Sequence, residues 1–355
     1  MQEDIYRRLQ ERLDSYAVGF PATESGVELE ILKKLFSEEE AGIFLSLTPS
    51  MEKPEDIAAR LEWPQEQLAE KLEDMASRGL LFRLKKNNQV KYGATAFIHG
   101  IFEFQVKNMD LELAKLIGRY FDEGLDKSLI NVKGTFLRTI PIAESIPPEH
   151  HIASLDDAAE ILRSAGKIVV ADCICRKRMD IIGDACNAPL EVCLLFGSMG
   201  QYYLDNQMGR EISANEAISI VTHAQEAGLV TQPATSANPS GMCNCCGDCC
   251  GVLTSIKRDS NPAELVYSNN YAEVEADTCF QCGECLPNCP MEAIQLSEEG
   301  PAVILRNRCI GCGVCVLNCT SGAISLKAKP EEQRRELPGN SFEQMMRMAE
   351  VRNQS

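Results

Sequence analysis

All seventeen cysteines of this 355-residue chain lie between Cys173 and Cys319. Their number is odd and many are separated by only one to three residues, which suits soft metal ligation better than disulfide pairing. Thiolates at this density select iron–sulfur clusters, zinc or copper(I). Eight of them form two matching runs. The first is Cys279-x2-Cys282-x2-Cys285-x3-Cys289-Pro290, and the second, thirty positions on, is Cys309-x2-Cys312-x2-Cys315-x3-Cys319. The repeat extends past the cysteines, since Ala293-Ile294-Gln295-Leu296 answers to Ala323-Ile324-Ser325-Leu326. Two-residue gaps let three thiolates converge on one metal centre while the backbone amides between them face the sulfurs. The fourth cysteine, at the following turn, projects away.

Over about sixty residues, from Tyr271 to Lys329, this pattern closely resembles the bacterial two-cluster ferredoxins. The resemblance implies a ferredoxin-like βαββαβ shell around two [4Fe–4S] clusters. It assigns Cys279, Cys282, Cys285 and Cys319 to the first cluster, and Cys309, Cys312, Cys315 and Cys289 to the second. The chain departs from the family at Thr320, where a second proline is expected; that touches a turn and no ligand. One-electron transfer is the minimal function implied.

Nine cysteines remain, in two sequence groups: Cys173, Cys175, Cys186 and Cys193, then Cys243, Cys245, Cys246, Cys249 and Cys250. Five cysteines within eight residues are not packing filler, because reactivity normally decides where cysteine is used. One or two further iron–sulfur clusters are expected here, with zinc, or reactive thiols and a redox disulfide, as the alternatives. The two groups could supply two clusters with one cysteine spare, or contribute jointly to a single centre. Arg176, Lys177 and Arg178 follow at once. They form either an ordinary solvated basic loop or a cationic environment for a reduced cluster or an anionic ligand. No Walker A loop, dinucleotide fingerprint or His-Glu-x-x-His helix is present. The glycines of Phe196-Gly197-Ser198-Met199-Gly200 follow no evident strand.

The elements that must position these residues are less explicit. From about Val27 to Tyr92 the pattern reads as three helices and a hairpin. An amphipathic stretch runs from Leu32 to Leu47, and a helix starts at Pro54. A second helix spans Gln65 to Arg78 and stops at Gly79, and two strands flank Asn87-Asn88. This order resembles a winged helix-turn-helix domain. Phe97 to Leu125 reads as a long helical stretch, Thr139 to Ile142 as a possible strand, and Pro147-Pro148 as a linker; the adjacent His150 and His151 there read as surface residues. Ser154 is a candidate N-cap for a helix over 155–164, ahead of a buried strand over Lys167–Ala171. A capping box at Ser213 and Glu216 opens a helix to Ala227, and 231–242 reads as a loop. A short Met-rich helix from Ser341 is either a docking element or a frayed end.

The expected architecture is therefore multidomain α+β. It comprises a winged-helix-like domain (1–95), a helical connector (96–148), a Cys-rich α/β domain (149–265), the dicluster domain (266–330) and a tail (331–355). No apolar run is long enough to span a membrane, and the acidic start Met1-Gln2-Glu3-Asp4 lacks a signal-peptide core, so a cytoplasmic protein is expected. A net charge of −17 points to partners with basic surfaces. It argues against nucleic acid, as does the helix over 65–78, where Glu66, Glu70, Glu73 and Asp74 face only Lys71 and Arg78. The wing alone is basic, with Arg83, Lys85, Lys86 and Lys91. Three functions follow. The first is an electron-transfer protein that is a subunit or redox partner of a larger anaerobic reductase, with the winged helix docking a partner or a second subunit. The second is a stand-alone reductase with a catalytic cluster in the middle domain. The third is a redox-sensing winged-helix regulator.

Overall fold

Apolar spacing and caps place the first helices. The computed structural model describes residues 4–142, 145, 156–298, 300–334 and 336–353. Helix α1 (Ile5–Asp14) is capped by Asp4 and has no counterpart in the sequence reading. The stretch from Leu32 to Leu47 is not one helix but two, α2 (Val27–Leu35) and α3 (Glu38–Ser46). Ser37 causes the break: it forms a full capping box with Glu40 and so starts a new helix two residues after the previous one ends. Then α4 (Pro54–Leu61), α5 (Gln65–Ser77) and the antiparallel pair β1 (Phe82–Lys86) and β2 (Gln89–Gly93) follow as their signals indicate. Asn87 and Asn88, both at positive φ, make the tight turn between the strands.

Residues 97–125 depart most from expectation. His99 (φ 57°) and Gly100 (φ −166°, ψ −112°) break the helical path. Only a short turn, α6 (Phe102–Phe104), precedes α7 (Leu111–Tyr120), which is capped by Asp110, and α8 (Asp126–Val132). The apolar stripe is real but buries an irregular chain. Residues 137–142 are extended and cross-pair with Ala234, Tyr267 and Thr231 without forming a full strand. Pro147, Pro148, His150, His151 and Ser154 lie outside the described residues.

Helix α9 (Ala158–Ser164) is capped by Asp157 and leads into β3 (Ile168–Asp172) and α10 (Ile174–Ile181). Next come β4 (Glu191–Phe196), α11 (Gly197–Asp205), β5 (Arg210–Ile212) and α12 (Ala214–Glu226). The sheet is completed by β6 (Val230–Pro233) and β7 (Gly241–Cys245). Its order is β5-β3-β4-β7-β6 and every pairing is antiparallel, so this region is α+β rather than α/β. The apolar run in β3 misleads because both its faces are buried. Ile168 and Val170 meet Leu162 and Val221 on one side, while Val169 and Ala171 join the main core with Tyr202 on the other. Two further corrections concern local signals. Phe196-Gly197 does end a strand and open a helix, and residues 230–233, overlapping the start of the loop expected over 231–242, form a buried strand.

After α13 (Gly251–Arg258), the Cys-run region is built from β8 (Asn270–Val274), β9 (Ile294–Gln295), β10 (Val303–Ile304), α14 (Val314–Leu317) and β11 (Ile324–Ala328). β8 pairs with β11 and β9 with β10, both antiparallel. The helical parts of the expected βαββαβ shrink to one turn in the second half and to plain turns in the first. The tail helix α15 (Ser341–Asn353) docks rather than frays. Gln344 Nε2 donates to the Phe136 and Thr135 carbonyls at 2.6 and 3.1 Å, Arg352 reaches Asp14, and Met348 is buried.

One apolar core runs from Leu9 through Tyr202 to Leu326 and Met348, while α9, α12 and β5 pack in a second cluster on the other face of the sheet. Helix α11 is the clasp between the amino-terminal helices and the sheet. The buried Tyr202 hydroxyl lies 2.7 Å from the Ala76 carbonyl and 3.0 Å from that of Leu81, and its ring packs on Phe82 and Phe104. Arg83, read as a basic wing residue, is instead buried between Glu73 and Asn206. No helix among the described residues is long and apolar enough to cross a membrane. Tyr202→Phe should keep the packing but lose the clasp's hydrogen bond, lowering unfolding free energy by about 1 kcal/mol. An unchanged denaturant midpoint would show that the hydroxyl contributes nothing.

Candidate metal centres

The thirty-residue repeat is a repeat of backbone conformation as well as of sequence. Gln281 and Gly311 have φ of 55° and 65°, Gly283 and Gly313 have 78° and 85°, and Glu292 and Gly322 have 51° and 68°. These left-handed turns wrap the chain around two cavities. Cys279, Cys282, Cys285 and Cys319 line one, and Cys289, Cys309, Cys312 and Cys315 line the other. Each cavity thus draws three thiols from one run and the last from the other. Backbone amides are aimed at the sulfurs: Ala302 N–H donates to Cys279 Sγ at 3.4 Å, Ala272 to Cys309 at 3.3 Å and Ala293 to Cys289 at 3.2 Å. Donors of this kind favour thiolate over thiol, and four-thiol cavities with amide donors fit cubane clusters. Burial works the other way, pushing the Cys312 thiol up to about 12, so a bound metal must displace that proton. Cys282 is exposed, whereas Cys309, Cys312 and Cys315 are all buried.

Residues 278–324 match a 4Fe-4S dicluster domain. Among curated proteins and solved structures, none matches the chain. The dicluster match covers both Cys runs and ends before the nine other cysteines begin, going backwards along the chain.

Those nine are sorted by the fold, not by sequence group. One set is a triad, Cys186, Cys246 and Cys249, whose sulfurs all lie within 4.8 Å of one another. The other is a continuous chain of thiol contacts running Cys173, Cys175, Cys250, Cys245, Cys243 and Cys193. Each set takes residues from both sequence groups, because β7 and the turn after it lie against the segment joining β3 to β4. Within the six-thiol chain, donors and acceptors divide. Contacts from Cys175 and Cys245 draw Cys250 down to about 6, and contacts from Cys193 and Cys245 hold Cys243 well below the ordinary thiol value. Their partners Cys193 and Cys245 are held well above it.

Cations are built into this region rather than solvated around it. Arg176 is 2% exposed; its guanidinium donates to the Asn244 carbonyl at 2.7 and 3.3 Å, and its Nε has no partner. No carboxylate pairs with it among the described residues, and the groups that face it are Cys173, Cys246, Cys245 and Cys186. Arg178, also buried, lies over the Phe121 ring and faces Cys175. A buried guanidinium needs a counter-charge; for Arg176 the candidates are sulfurs, and for Arg178 they are Cys175, Asp122 and Cys249. Only Lys177 behaves as a surface cation, 3.5 Å from Asp172.

Sequence reading missed two residues at this site. His99 touches Cys243, and Glu103 closes onto the Gly100 amide at 2.9 Å. Burial opposes charge on His99, yet the Cys243 contact and Glu103 carry its pKa upward. Burial pushes the Glu103 carboxyl up to about 7. Their signal was present as two ionisable residues four apart in an otherwise apolar run, but the helical reading absorbed it.

Gly311 and Gly283 occupy different positions of the repeat but contrast a walled left-handed turn with an open one. A Cβ at Gly311 would meet the Asn270 carbonyl oxygen at 2.2 Å, whereas one at Gly283 would meet nothing closer than Leu296 at 3.6 Å. Gly283→Ala should therefore cost only the left-handed strain, about 1–2 kcal/mol, and keep its iron. Gly311→Ala should lose iron from the second cavity, as read by metal analysis. Neutralising the buried cation with Arg176→Met should move the midpoint of the nine-cysteine centre to more negative potential and leave the dicluster signals in place. EPR-monitored redox titration checks this, and equal shifts in all centres would contradict it.

Proposed function

We propose that the chain is an iron–sulfur electron-transfer protein that acts as a subunit or redox partner of a larger reductase. On this reading Cys279, Cys282, Cys285 and Cys319 hold a first [4Fe–4S] cluster, and Cys309, Cys312, Cys315 and Cys289 a second. Cys173, Cys175, Cys186, Cys193, Cys243, Cys245, Cys246, Cys249 and Cys250 hold one or two more. One contact supports the reading above the rest. Gly247, between Cys246 and Cys249, packs on Pro290, the residue after Cys289, so closely that a Cβ there would lie 3.1 Å from the Pro290 Cα. The second dicluster cavity therefore abuts the nine-cysteine region through neighbouring residues. Electrons would enter at the exposed Cys282 side, where Phe280 is 76% exposed, and leave through this contact. The amino-terminal winged-helix-like region would serve docking. Its cations support that role over DNA binding, since Arg78 and Lys71 are spent on Glu40 and Arg83 on Glu73.

A second reading, a reductase acting on its own substrate, is favoured by a specific observation. Cys193 and Cys243 face a small cavity of ≈ 60 Å³ together with His99 and Glu103, which places sulfur, an imidazole and a carboxyl around one space. Iron and acid-labile sulfide measured on anaerobically purified protein test both readings. Twelve or sixteen irons per chain (about four per cluster) are expected. A count of about eight would leave the nine cysteines to zinc or to thiol chemistry and would remove the proposed route.

A further inference from the structure

The cavity at Cys193 and Cys243 does not end there. His99, Met199, Ala234 and Ser240 line both this inner chamber and a larger outer cleft. The cleft runs between the amino-terminal helices, the first turn of α11 and the tail helix α15. Its walls are largely apolar, and Phe342, Met345 and Met346 stand on the α15 side with 63%, 37% and 51% of their surface exposed. Methionine is the side chain best able to reshape around a variable apolar surface. The inner chamber, ≈ 60 Å³, has room for a small polar head group, and the outer cleft, ≈ 430 Å³, has the volume usual for a small-molecule site.

Two polar groups in this space have no partner among the described residues. Gln232 lines the inner chamber and is 0% exposed, and neither its amide oxygen nor its amide nitrogen is hydrogen-bonded. It stands opposite Cys243 in the β6–β7 register. In the outer cleft, the buried Tyr16 hydroxyl is likewise unpartnered. An orphaned buried amide costs stability, so it is retained where something other than the protein completes its hydrogen bonds. A primary amide presents an N–H and a carbonyl oxygen side by side, and another amide complements both.

We propose that the chamber and cleft bind an apolar organic molecule through a carboxamide head, with the head paired to Gln232 beside Cys243 and the apolar body in the Met-lined cleft. The assignment deepens the reductase reading above and rests on it for the ligand's purpose. Binding itself needs no particular metal on the thiols. It also gives α15 a task, that of forming one wall of the site.

The test uses the full chain, purified anaerobically, and a matched pair of probes: 6-(dimethylamino)-2-naphthamide and the headless 2-(dimethylamino)naphthalene. Fluorescence titration should give saturable binding at one site, with the carboxamide tighter by about tenfold, the worth of the head's hydrogen bonds. Gln232→Leu should erase that preference and keep binding of the headless probe. Ala234→Phe, filling the junction, and Met345→Trp, narrowing the cleft from the half-exposed side, should each weaken both probes. Absence of saturable binding overturns the proposal, as does a head preference that survives Gln232→Leu. If Ala234→Phe fails to fold, Met345→Trp decides, and unchanged binding in it is a refutation. Iron content and EPR of the same samples separate the two ideas. Probe binding at about eight irons per chain would keep this site and sink the cluster-based reductase, and the converse result would do the opposite.

Discussion

Bringing many thiols together inside a protein is an electrostatic problem before it is a chemical one. Each sulfur must be an anion to hold a metal, and burial penalises each anion. The middle of this chain meets the problem with two buried arginines. Arg176 sits among Cys173, Cys186, Cys245 and Cys246, and Arg178 beside Cys175. Much of the surrounding architecture follows from that need. Helix α10 carries both arginines inward directly after Cys173, and the Asn244 carbonyl on β7 receives the Arg176 guanidinium, tying the two cysteine-bearing segments together. Asn244 is in turn fixed by its amide to the Val192 carbonyl at 2.9 Å and by the Thr231 hydroxyl at 3.1 Å.

The dicluster region uses a different device. It contains no buried arginine of that kind; instead, left-handed turns aim backbone amides at the sulfurs, and the same turns are used twice. Amide dipoles carry no net charge, and here they serve exposed and buried thiols alike, whereas the nine-cysteine region adds whole charges.

What could be read from the sequence divides along these lines. The two Cys runs were legible because ligation fixes spacing over a dozen residues, and the backbone repeats every thirty along with them. The hairpin at Asn87-Asn88 and the starts at Pro54 and Gln65 were legible because local chemistry decides them. The division at Ser37 was also local, and was lost because apolar spacing continued across it. Strand direction in the middle sheet was not legible, since an apolar run buried on both faces looks alike in parallel and antiparallel settings. The sorting of the nine cysteines was out of reach for a further reason. Cys186 meets Cys246 and Cys249 only because some sixty residues of sheet and helix fold back between them.

The repeat has one more consequence. Its two halves are nearly the same object placed in two media. Gln281 can stand where its counterpart must be Gly311, because the first half has open space and the second is walled by Asn270. Identical spacing in unequal dielectric surroundings separates the energies of two otherwise equivalent redox sites. A duplicated segment thereby acquires a direction, an outer step and an inner step, without any change in its ligands.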